Sequence, residues 1–196
     1  MKTYTMKKVN GAPDWSKIPV LNIENVQWTD PIDITAWAQL CWDEEGLFVR
    51  MEAIEPNIRM EETGPQACTC NDSCMEFFFR PEESDPRYFN FEMNPLGFTY
   101  VGLGYNLPNS CRLAYTVQAE TRMLKDGWEI FYTIPLSFLQ VFFPGYELTP
   151  GRTIYANCYK CGDKTVQEHY LSWNPCTSPR PAFHVPADFG RMVLGE

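Results

Sequence analysis

The fold is predicted first from two short stretches, NDSCMEFFF at residues 71–79 and YFNFEMNPLG at residues 88–97. Both are rich in aromatic residues, and both fit a β-strand, whose successive side chains point to opposite faces of a sheet. In the first stretch Glu76 shares a face with Cys74, and in the second Glu92 lies among asparagines on one face while the other face is apolar. The pattern predicts two strands that carry carboxylates on a binding surface.

The rest of the chain continues the β pattern. A hairpin is predicted between residues 36–42 and 47–54, and a second between residues 113–122 and 128–134, where an Asp-Gly pair gives a strong turn signal. Further strands are predicted at 98–105, 153–161 and 189–194, and one helical turn at 135–139. These elements predict an all-β chain, an antiparallel two-sheet β-sandwich of the jelly-roll or immunoglobulin-like type.

Length and composition favour a single domain. The 196 residues are enough for one substantial core, and the 16 prolines and 12 glycines indicate many short turns. We expect one domain over residues 1–196, with residues 1–35 as an irregular N-terminal arm, containing a short edge strand, packed on it. The segment 55–72 is predicted to be a long polar loop, and loops of that length in a compact domain are often functional.

The balance of acidic and basic residues indicates which classes of partner to expect. There are 16 basic and 25 acidic residues, a net charge of -9, which repels nucleic acid and anionic membrane surfaces. We expect no nucleic-acid or membrane partner, and the oligomeric state stays open. The first residues hold no apolar run that could act as a signal peptide, so a cytoplasmic location is expected, or a secreted one if the chain has been trimmed. The eight cysteines are expected to be free thiols.

Motifs for catalysis are scarce. The sequence has no Gly-x-Ser-x-Gly nucleophile motif, no phosphate-binding glycine loop and no His-Glu-x-x-His motif. Glu76 and Glu92 could form the carboxylate pair of a glycoside hydrolase if their strands are neighbours, because such pairs lie about 5–10 Å apart. The alternative is that both carboxylates hold the hydroxyl groups of a ligand that is bound unchanged.

Several motifs together resemble the family 9 carbohydrate-binding modules, and the likeness covers most of the chain. Its motifs are Asp14-Trp15, residues 38–49, residues 71–78, residues 90–94, residues 156–163, residues 172–175 and residues 183–190. The resemblance implies a jelly-roll-like β-sandwich that binds sugars without turning them over, with structural calcium as the expected cofactor.

The resemblance also implies roles for individual residues. Modules of this family clamp a terminal sugar between two tryptophans and hold its hydroxyls with a glutamate, an arginine and amides. The glutamate matches Glu76, whereas the first tryptophan falls near Cys70, the arginine on Glu92 and one amide on Tyr159. The second tryptophan falls on Phe183, which keeps an aromatic face.

We therefore predict a saccharide or polyol ligand bound without catalysis in one cleft. Glu76 would accept hydroxyl protons, Arg180 would donate hydrogen bonds and Phe183 would stack on the sugar, since aromatic faces suit the apolar face of a sugar ring. Two alternatives stay open, namely a hydrolase that uses Glu76 and Glu92, and an interaction or metal-binding module. The cleft residues are Glu76, Glu92, Tyr159, Arg180, Phe183 and His184.

A metal site is a further expectation from these positions. Cys70 and Tyr159 would line the former sugar cleft, and Cys161 shares the strand face of Tyr159 by the two-residue alternation. Cys68, Cys70, Cys161 and His184 are therefore candidate zinc ligands, because zinc in proteins takes four sulfur or nitrogen donors. The alternative is that most of the cysteines are buried as small hydrophobic residues.

Overall fold

The protein is almost entirely β-structure. The computed structural model describes residues 1–65, 67–104 and 111–196. The strands in these ranges are β1 Thr3–Lys8, β2 Leu21–Ile23, β3 Asn25–Val26, β4 Thr35–Asp43, β5 Gly46–Ile54, β6 Cys74–Arg80, β7 Tyr88–Met93, β8 Thr99–Gly104, β9 Cys111–Arg112, β10 Ala119–Met123, β11 Gly127–Pro135, β12 Thr153–Gly162, β13 His169–Ser172 and β14 Gly190–Leu194. The helix α1 covers Leu136–Phe142, and 3-10 helices cover Trp15–Lys17, Thr69–Asn71 and Pro186–Asp188. The all-β prediction is confirmed.

The predicted hairpins are present, the first with small changes in its bounds. In the second hairpin the first strand is shorter than predicted, since it covers Ala119–Met123 instead of residues 113–122. β4 and β5 pair antiparallel from Thr35 opposite Ile54 to Asp43 opposite Gly46, and β10 and β11 pair through the Asp-Gly turn. The predicted strand at 98–105 is observed at Thr99–Gly104, and Tyr105 lies outside the described residues. In the described part of the chain, no helix is long and apolar enough to cross a membrane.

The strands form one large curled sheet that is mixed, which corrects the prediction of a purely antiparallel arrangement. Along the sheet the order is β10-β11-β5-β4-β1-β14-β12-β6-β7-β8-β9, while β2 pairs with β4, β13 with β12, and β3 with β13. β1 is parallel to both of its neighbours, β14 and β4. Parallel neighbours need a long connection, and the 26 residues between β1 and β4 provide one.

The N-terminal segment differs from the predicted irregular arm. Residues 1–35 contribute three complete strands and the first residue of β4, and β1 lies in the middle of the sheet order, where it joins the two halves. Only Tyr4 and Met6 of β1 are buried, and two apolar positions give too short an alternation to separate a strand from a loop by sequence. This segment therefore belongs to the sheet.

Both faces of the β6–β7 pair are buried. Phe77 and Phe79 pack into the main core, which also contains Phe91 from β7, stacked 6.3 Å from Tyr132 of β11. The opposite face packs in a smaller cluster that includes Phe183 from the loop before β14. That loop covers the sheet face predicted as a binding surface, so any ligand site there is a pocket between sheet and loop.

A charged network is buried within the fold. Lys160 of β12 places its Nζ 3.2 Å from a carboxylate oxygen of Glu55 and 2.7 Å from Nε2 of His169. Glu55 also accepts hydrogen bonds from Trp128 Nε1 at 2.6 Å and from the Ser73 hydroxyl at 3.0 Å. Buried charges are tolerated only when paired and hydrogen-bonded, and this network satisfies both conditions.

Candidate functional site

A pocket of about 200 Å³ lies between the sheet and the loop that carries Phe183. Its floor contains two carboxyl groups that the strand register brings together. Glu76 of β6 lies directly opposite Glu92 of β7, and it also faces Tyr159 on the other side, in β12. Both glutamates are buried, with 3% and 8% of their surface exposed. The alternation read from the sequence therefore placed both acids on one face correctly.

The two floor carboxyls have different hydrogen-bond partners. The Cys161 thiol donates to Oε1 of Glu76 at 2.9 Å, and the amide of Asn90 donates to Oε1 of Glu92 at 2.7 Å. Asn90 has room because its strand neighbour is Gly102, where an added Cβ would come within 2.3 Å of the Asn90 amide oxygen. The glycine in β8 thus lets Asn90 hold Glu92 in place.

Burial raises the pKa values of both carboxyl groups on the floor of the pocket. Loss of solvation, followed by repulsion from Glu92, raises the pKa of Glu76 well above its ordinary value. Loss of solvation also raises the pKa of Glu92 to about 7, against the opposing hydrogen bond from Asn90. Near neutral pH Glu92 is therefore only partly ionised, and the floor can both donate and accept hydrogen bonds.

The raised pKa of Glu92 predicts a pH-dependent stability. The folded state binds this proton more tightly than the unfolded chain, so the stabilisation is complete below the ordinary pKa of 4.5 and is lost as pH rises through about 7. We expect the unfolding free energy of wild type, minus that of Glu92→Gln, to fall by about 3 kcal/mol over this range. Urea unfolding of both proteins from pH 4 to pH 8 measures it.

Comparing wild type with Glu92→Gln removes the opposing contribution that two histidines make to the pH dependence of the unfolding free energy. Burial lowers the pKa of His169 and of His184 to about 4, and their stabilisation, present above the ordinary value of 6.5, is lost as pH falls. Both histidines remain in the variant, so their contributions to the pH dependence of the unfolding free energy cancel in the difference. A difference that stays constant with pH would show that Glu92 titrates normally.

The predicted stacking residue Phe183 is already covered. Tyr159 stacks on the Phe183 ring with the centroids 4.0 Å apart and the planes at 13°, and the Tyr159 hydroxyl donates to the Phe183 carbonyl at 3.3 Å. Phe183 is 8% exposed and Tyr159 is fully buried. Tyr159 therefore supports the wall from behind, and Phe183 offers little open ring surface.

Trp28 lines the pocket and was not identified from the sequence. Its ring centroid lies 5.4 Å from that of Phe183, and its indole Nε1 donates to the Ser178 carbonyl at 2.7 Å, which ties it to the same loop. Among the described residues it is the single non-glycine residue with positive φ, at 56°. A bulky side chain rarely adopts that conformation, and such strain is typical of binding sites. A tryptophan among polar neighbours in a loop was the only available signal.

The remaining predicted residues take different places. His184 lines the pocket, and its Nδ1 lies 2.8 Å from the Tyr88 hydroxyl. Because burial lowers its pKa to about 4, His184 is neutral at neutral pH. Arg180 is exposed on the loop, outside the pocket lining. No described lining residue is a lysine or an arginine.

The four zinc candidates do not form one cluster. Cys68 and Cys70 place their sulfurs 3.5 Å apart. Cys161 lies in the pocket wall with Cys70, but among the described residues the one group of three ligand atoms within 4.8 Å of one another is Cys74, Glu76 and Cys161. Cys68, Cys70 and His184 are outside it.

The buried carboxylates outside the pocket do not fit calcium. Calcium takes six to eight oxygen ligands, whereas each of these acids is held by donors of the protein. Asp72 accepts from the Arg59 guanidinium and from the backbone N–H groups of Glu61 and Glu62. Glu55, Glu129 and Asp188 are bound by Lys160, Arg50 and Thr177. Structural calcium therefore stays a prediction, and these buried acids do not supply a set of ligands for it.

A larger groove of about 770 Å³ on the outer face of β11 is a poorer candidate. Its central aromatic residue, Phe131, has the guanidinium groups of Arg50 and Arg122 over its ring, 5.5 and 4.9 Å from the centroid. Its buried acid, Glu129, is paired with Arg50 at 2.7 Å. The groups that would bind a ligand are thus bound to one another.

Comparisons with known proteins point to one family. A family model described as carbohydrate-binding family 9 matches residues 7–194. A candidate carbohydrate-binding protein from Bacteroides uniformis ATCC 8492 aligns with a TM-score of 0.87 at 28% identity, covering 98% of this chain and 99% of that chain. No curated protein matches.

Two further solved structures are similar in fold. One is a family 9 module from Caldicellulosiruptor kristjanssonii in complex with cellotriose, with a TM-score of 0.74 and 14% identity, covering 99% of this chain and 94% of that chain. The other is a family 9 module from the same organism in complex with glucose, with a TM-score of 0.71 and 15% identity, covering 100% and 97%.

Proposed function

The chain belongs to carbohydrate-binding family 9, and from that premise we propose that its pocket binds the terminal ring of a neutral saccharide. Membership of this family makes the chain a carbohydrate-binding module, not an enzyme. The observation that carries the proposal is the pair Glu76 and Glu92 on the floor of a pocket with an aromatic wall. Such a site combines polar groups for hydroxyls with ring faces for the apolar side of a sugar.

The size of the pocket favours a single ring. Its volume of about 200 Å³ is below the ~300–1,000 Å³ of sites for drug-sized ligands. A chain end can enter such a pocket, whereas the middle of a chain needs an open groove. The solved family 9 modules in complex with glucose and cellotriose support these two sugars as the first ligands to test.

The charge of the pocket favours a neutral sugar. Glu76, Glu92 and Asp163 line it, and no described lining residue is a lysine or an arginine. Sulfated, phosphorylated or uronic-acid sugars would be repelled by these carboxyls. Because Glu92 is only partly ionised near neutral pH, the floor can hydrogen-bond a sugar hydroxyl as donor and as acceptor.

Trp28 supplies the stacking surface in this proposal, and Phe183 packs behind it. Trp28 is half-buried and lines the pocket, whereas one face of Phe183 is covered by Tyr159. One open aromatic face and a few hydrogen bonds must offset the cost of ordering the ligand. The expected dissociation constant is therefore weak, on the order of 1 mM, or about -4 kcal/mol.

Trp28→Ala is expected to weaken glucose and cellotriose binding about tenfold. A well-placed aromatic contact contributes about 0.5–1.5 kcal/mol beyond its buried area, and about 1.4 kcal/mol corresponds to tenfold. Calorimetric titration measures the change. Trp28→Phe keeps a ring at the same backbone strain and should retain most of the affinity, and Trp15→Ala, in the outer groove, should bind as wild type does. Equal affinities of wild type and Trp28→Ala would contradict the role of Trp28.

The hydrolase alternative receives no support from the family. Glu76 and Glu92 lie side by side on adjacent strands of one floor, which suits holding two hydroxyls of one ring. An interaction module without a ligand is tested by the same titrations, since it would bind no sugar.

The finer architecture is also part of the proposal. We propose that the curled sheet folds into two layers as in a jelly-roll-like β-sandwich. The single main core contains residues of both halves of the sheet, and the stacked pair Phe91 and Tyr132 connects them. Each layer then covers the apolar face of the other.

A further inference from the structure

Two thiols and a carboxylate converge at the floor of the pocket, which Glu76 and Cys161 line, whereas Cys74 is fully buried. Cys74 of β6 lies directly opposite Cys161 of β12, and Glu76, two residues along β6, points to the same face of the sheet. Their ligand atoms lie within 4.8 Å of one another. We propose that this group, Cys74 Sγ, Cys161 Sγ and an oxygen of Glu76, binds a thiophilic divalent cation, with zinc as the first candidate.

The spacing is close to what zinc requires. With zinc–sulfur distances of about 2.3 Å and zinc–oxygen distances of about 2.0 Å, tetrahedral ligands are about 3.5–3.8 Å apart. The Cys161 sulfur and Oε1 of Glu76 are already 2.9 Å apart, and the others are within 4.8 Å. Adjustments of about 1.3 Å or less, within the reach of rotation about the side-chain bonds, would complete the geometry.

The donor set selects the kind of metal. Thiolates favour soft or borderline cations such as zinc, whereas magnesium and calcium need oxygen ligands throughout. The pocket also lacks a cation of its own, because no lysine or arginine occurs among its described lining residues while Glu76, Glu92 and Asp163 do. A divalent ion would offset these carboxyls.

Three protein ligands would leave the fourth zinc position free, and two of the three, Glu76 and Cys161, line the pocket. Catalytic zinc sites have the same open coordination, although here nothing indicates a reaction. The open position would be taken by water, or by a saccharide hydroxyl if the sugar enters with zinc bound. The zinc site does not depend on the proposed saccharide binding, since its ligands are all protein atoms.

The test begins with reduced, chelator-treated protein titrated with zinc and, separately, with cobalt(II). We expect one ion per chain and a thiolate-to-cobalt charge-transfer absorption, because both thiols bind as thiolates and release their protons to the buffer. Cys161→Ser should weaken binding by about 100-fold or more, as loss of even an outer-shell partner costs about 10–100-fold. Cys111→Ser changes an exposed thiol outside the pocket and should bind as wild type does.

Three results would overturn the proposal. They are the absence of zinc binding by wild type, cobalt binding without the charge-transfer absorption, and unchanged affinity in Cys161→Ser. Loss of binding in Cys68→Ser with retention in Cys161→Ser would place the ion at the sulfurs of Cys68 and Cys70 instead. Glu76→Gln, which keeps the side-chain shape, gives a second variant if Cys161→Ser does not fold. Saccharide titrations of metal-free protein are separate, so either proposal can fail alone.

Discussion

Replacing Lys160 with methionine is expected to lower the free energy of unfolding by about 3–5 kcal/mol, because it leaves a buried carboxylate without its cation. Lys160 has none of its surface exposed, and its Nζ lies 3.2 Å from Glu55 and 2.7 Å from His169. Methionine fills much of the same volume, so the loss reports the charge pair and not a cavity. Urea unfolding at neutral pH measures the change.

The double variant Glu55→Gln with Lys160→Met distinguishes the contribution of the ion pair from that of the hydrogen bonds around it. Removing both charges should recover part of the loss, since the neutral amide oxygen can still accept from Trp128 Nε1 while the amide nitrogen donates to the Ser73 hydroxyl. Lys164→Met, at an exposed site four residues away, should change stability by about 0.5 kcal/mol or less. A Lys160→Met protein as stable as wild type would show that the ion pair contributes nothing to the fold.

Glu76→Ala is expected to lower saccharide affinity by about 10–100-fold. Removing the carboxyl leaves a buried sugar hydroxyl without its partner, which costs about 1–3 kcal/mol, and about 1.4 kcal/mol is tenfold. Glu76 lies at the floor, with Glu92 and Tyr159 directly opposite it on the two flanking strands. Calorimetric titration with glucose and cellotriose measures the loss.

Two further variants make this result specific. Glu76→Gln keeps one donor and one acceptor and should lose less affinity than Glu76→Ala, since a protonated carboxyl offers the same pair of roles. Glu61→Gln alters an exposed acid outside the pocket and should bind as wild type does. Melting curves of all three show whether each variant is folded. Unchanged affinity in a folded Glu76→Ala protein would remove this floor from the binding site.

Local patterns explain the parts of the fold that the sequence predicts well. The hairpin of β4 and β5 follows from alternating apolar residues and a turn, and the turn at Asp126 and Gly127 defines β10 and β11 in the same way. Glu76 and Glu92 were placed on one face because a strand has a strict two-residue period. Nothing beyond neighbouring residues is needed for these predictions.

The missed features depend on contacts between distant segments. β1 was missed because its partners are β14 and β4, both far along the chain, and its own alternation is short. Trp28 reaches the pocket through a left-handed backbone conformation and a hydrogen bond to Ser178, 150 residues away. The residues that flank Trp28 in the sequence predict neither this backbone conformation nor this hydrogen bond.

The loop before β14 shows a third limit. Phe183, His184 and Arg180 were all predicted to face the ligand, but a loop has no periodicity that assigns a direction to its side chains. Phe183 turned toward Tyr159 and His184 toward Tyr88, whereas Arg180 stayed exposed outside the pocket. Packing of the loop on the sheet decides these orientations.

The most direct test of the saccharide site is a nuclear magnetic resonance titration of the tryptophan indole N–H signals. The Trp28 signal is identified by its loss in Trp28→Phe, and Trp15, which lies in the outer groove 6.0 Å from Phe131, is an internal control. With added glucose or cellotriose we expect the Trp28 signal to shift saturably while the Trp15 signal stays in place. A saturable shift of Trp15 without Trp28, or no shift of Trp28 at saturating sugar, would contradict saccharide binding in this pocket.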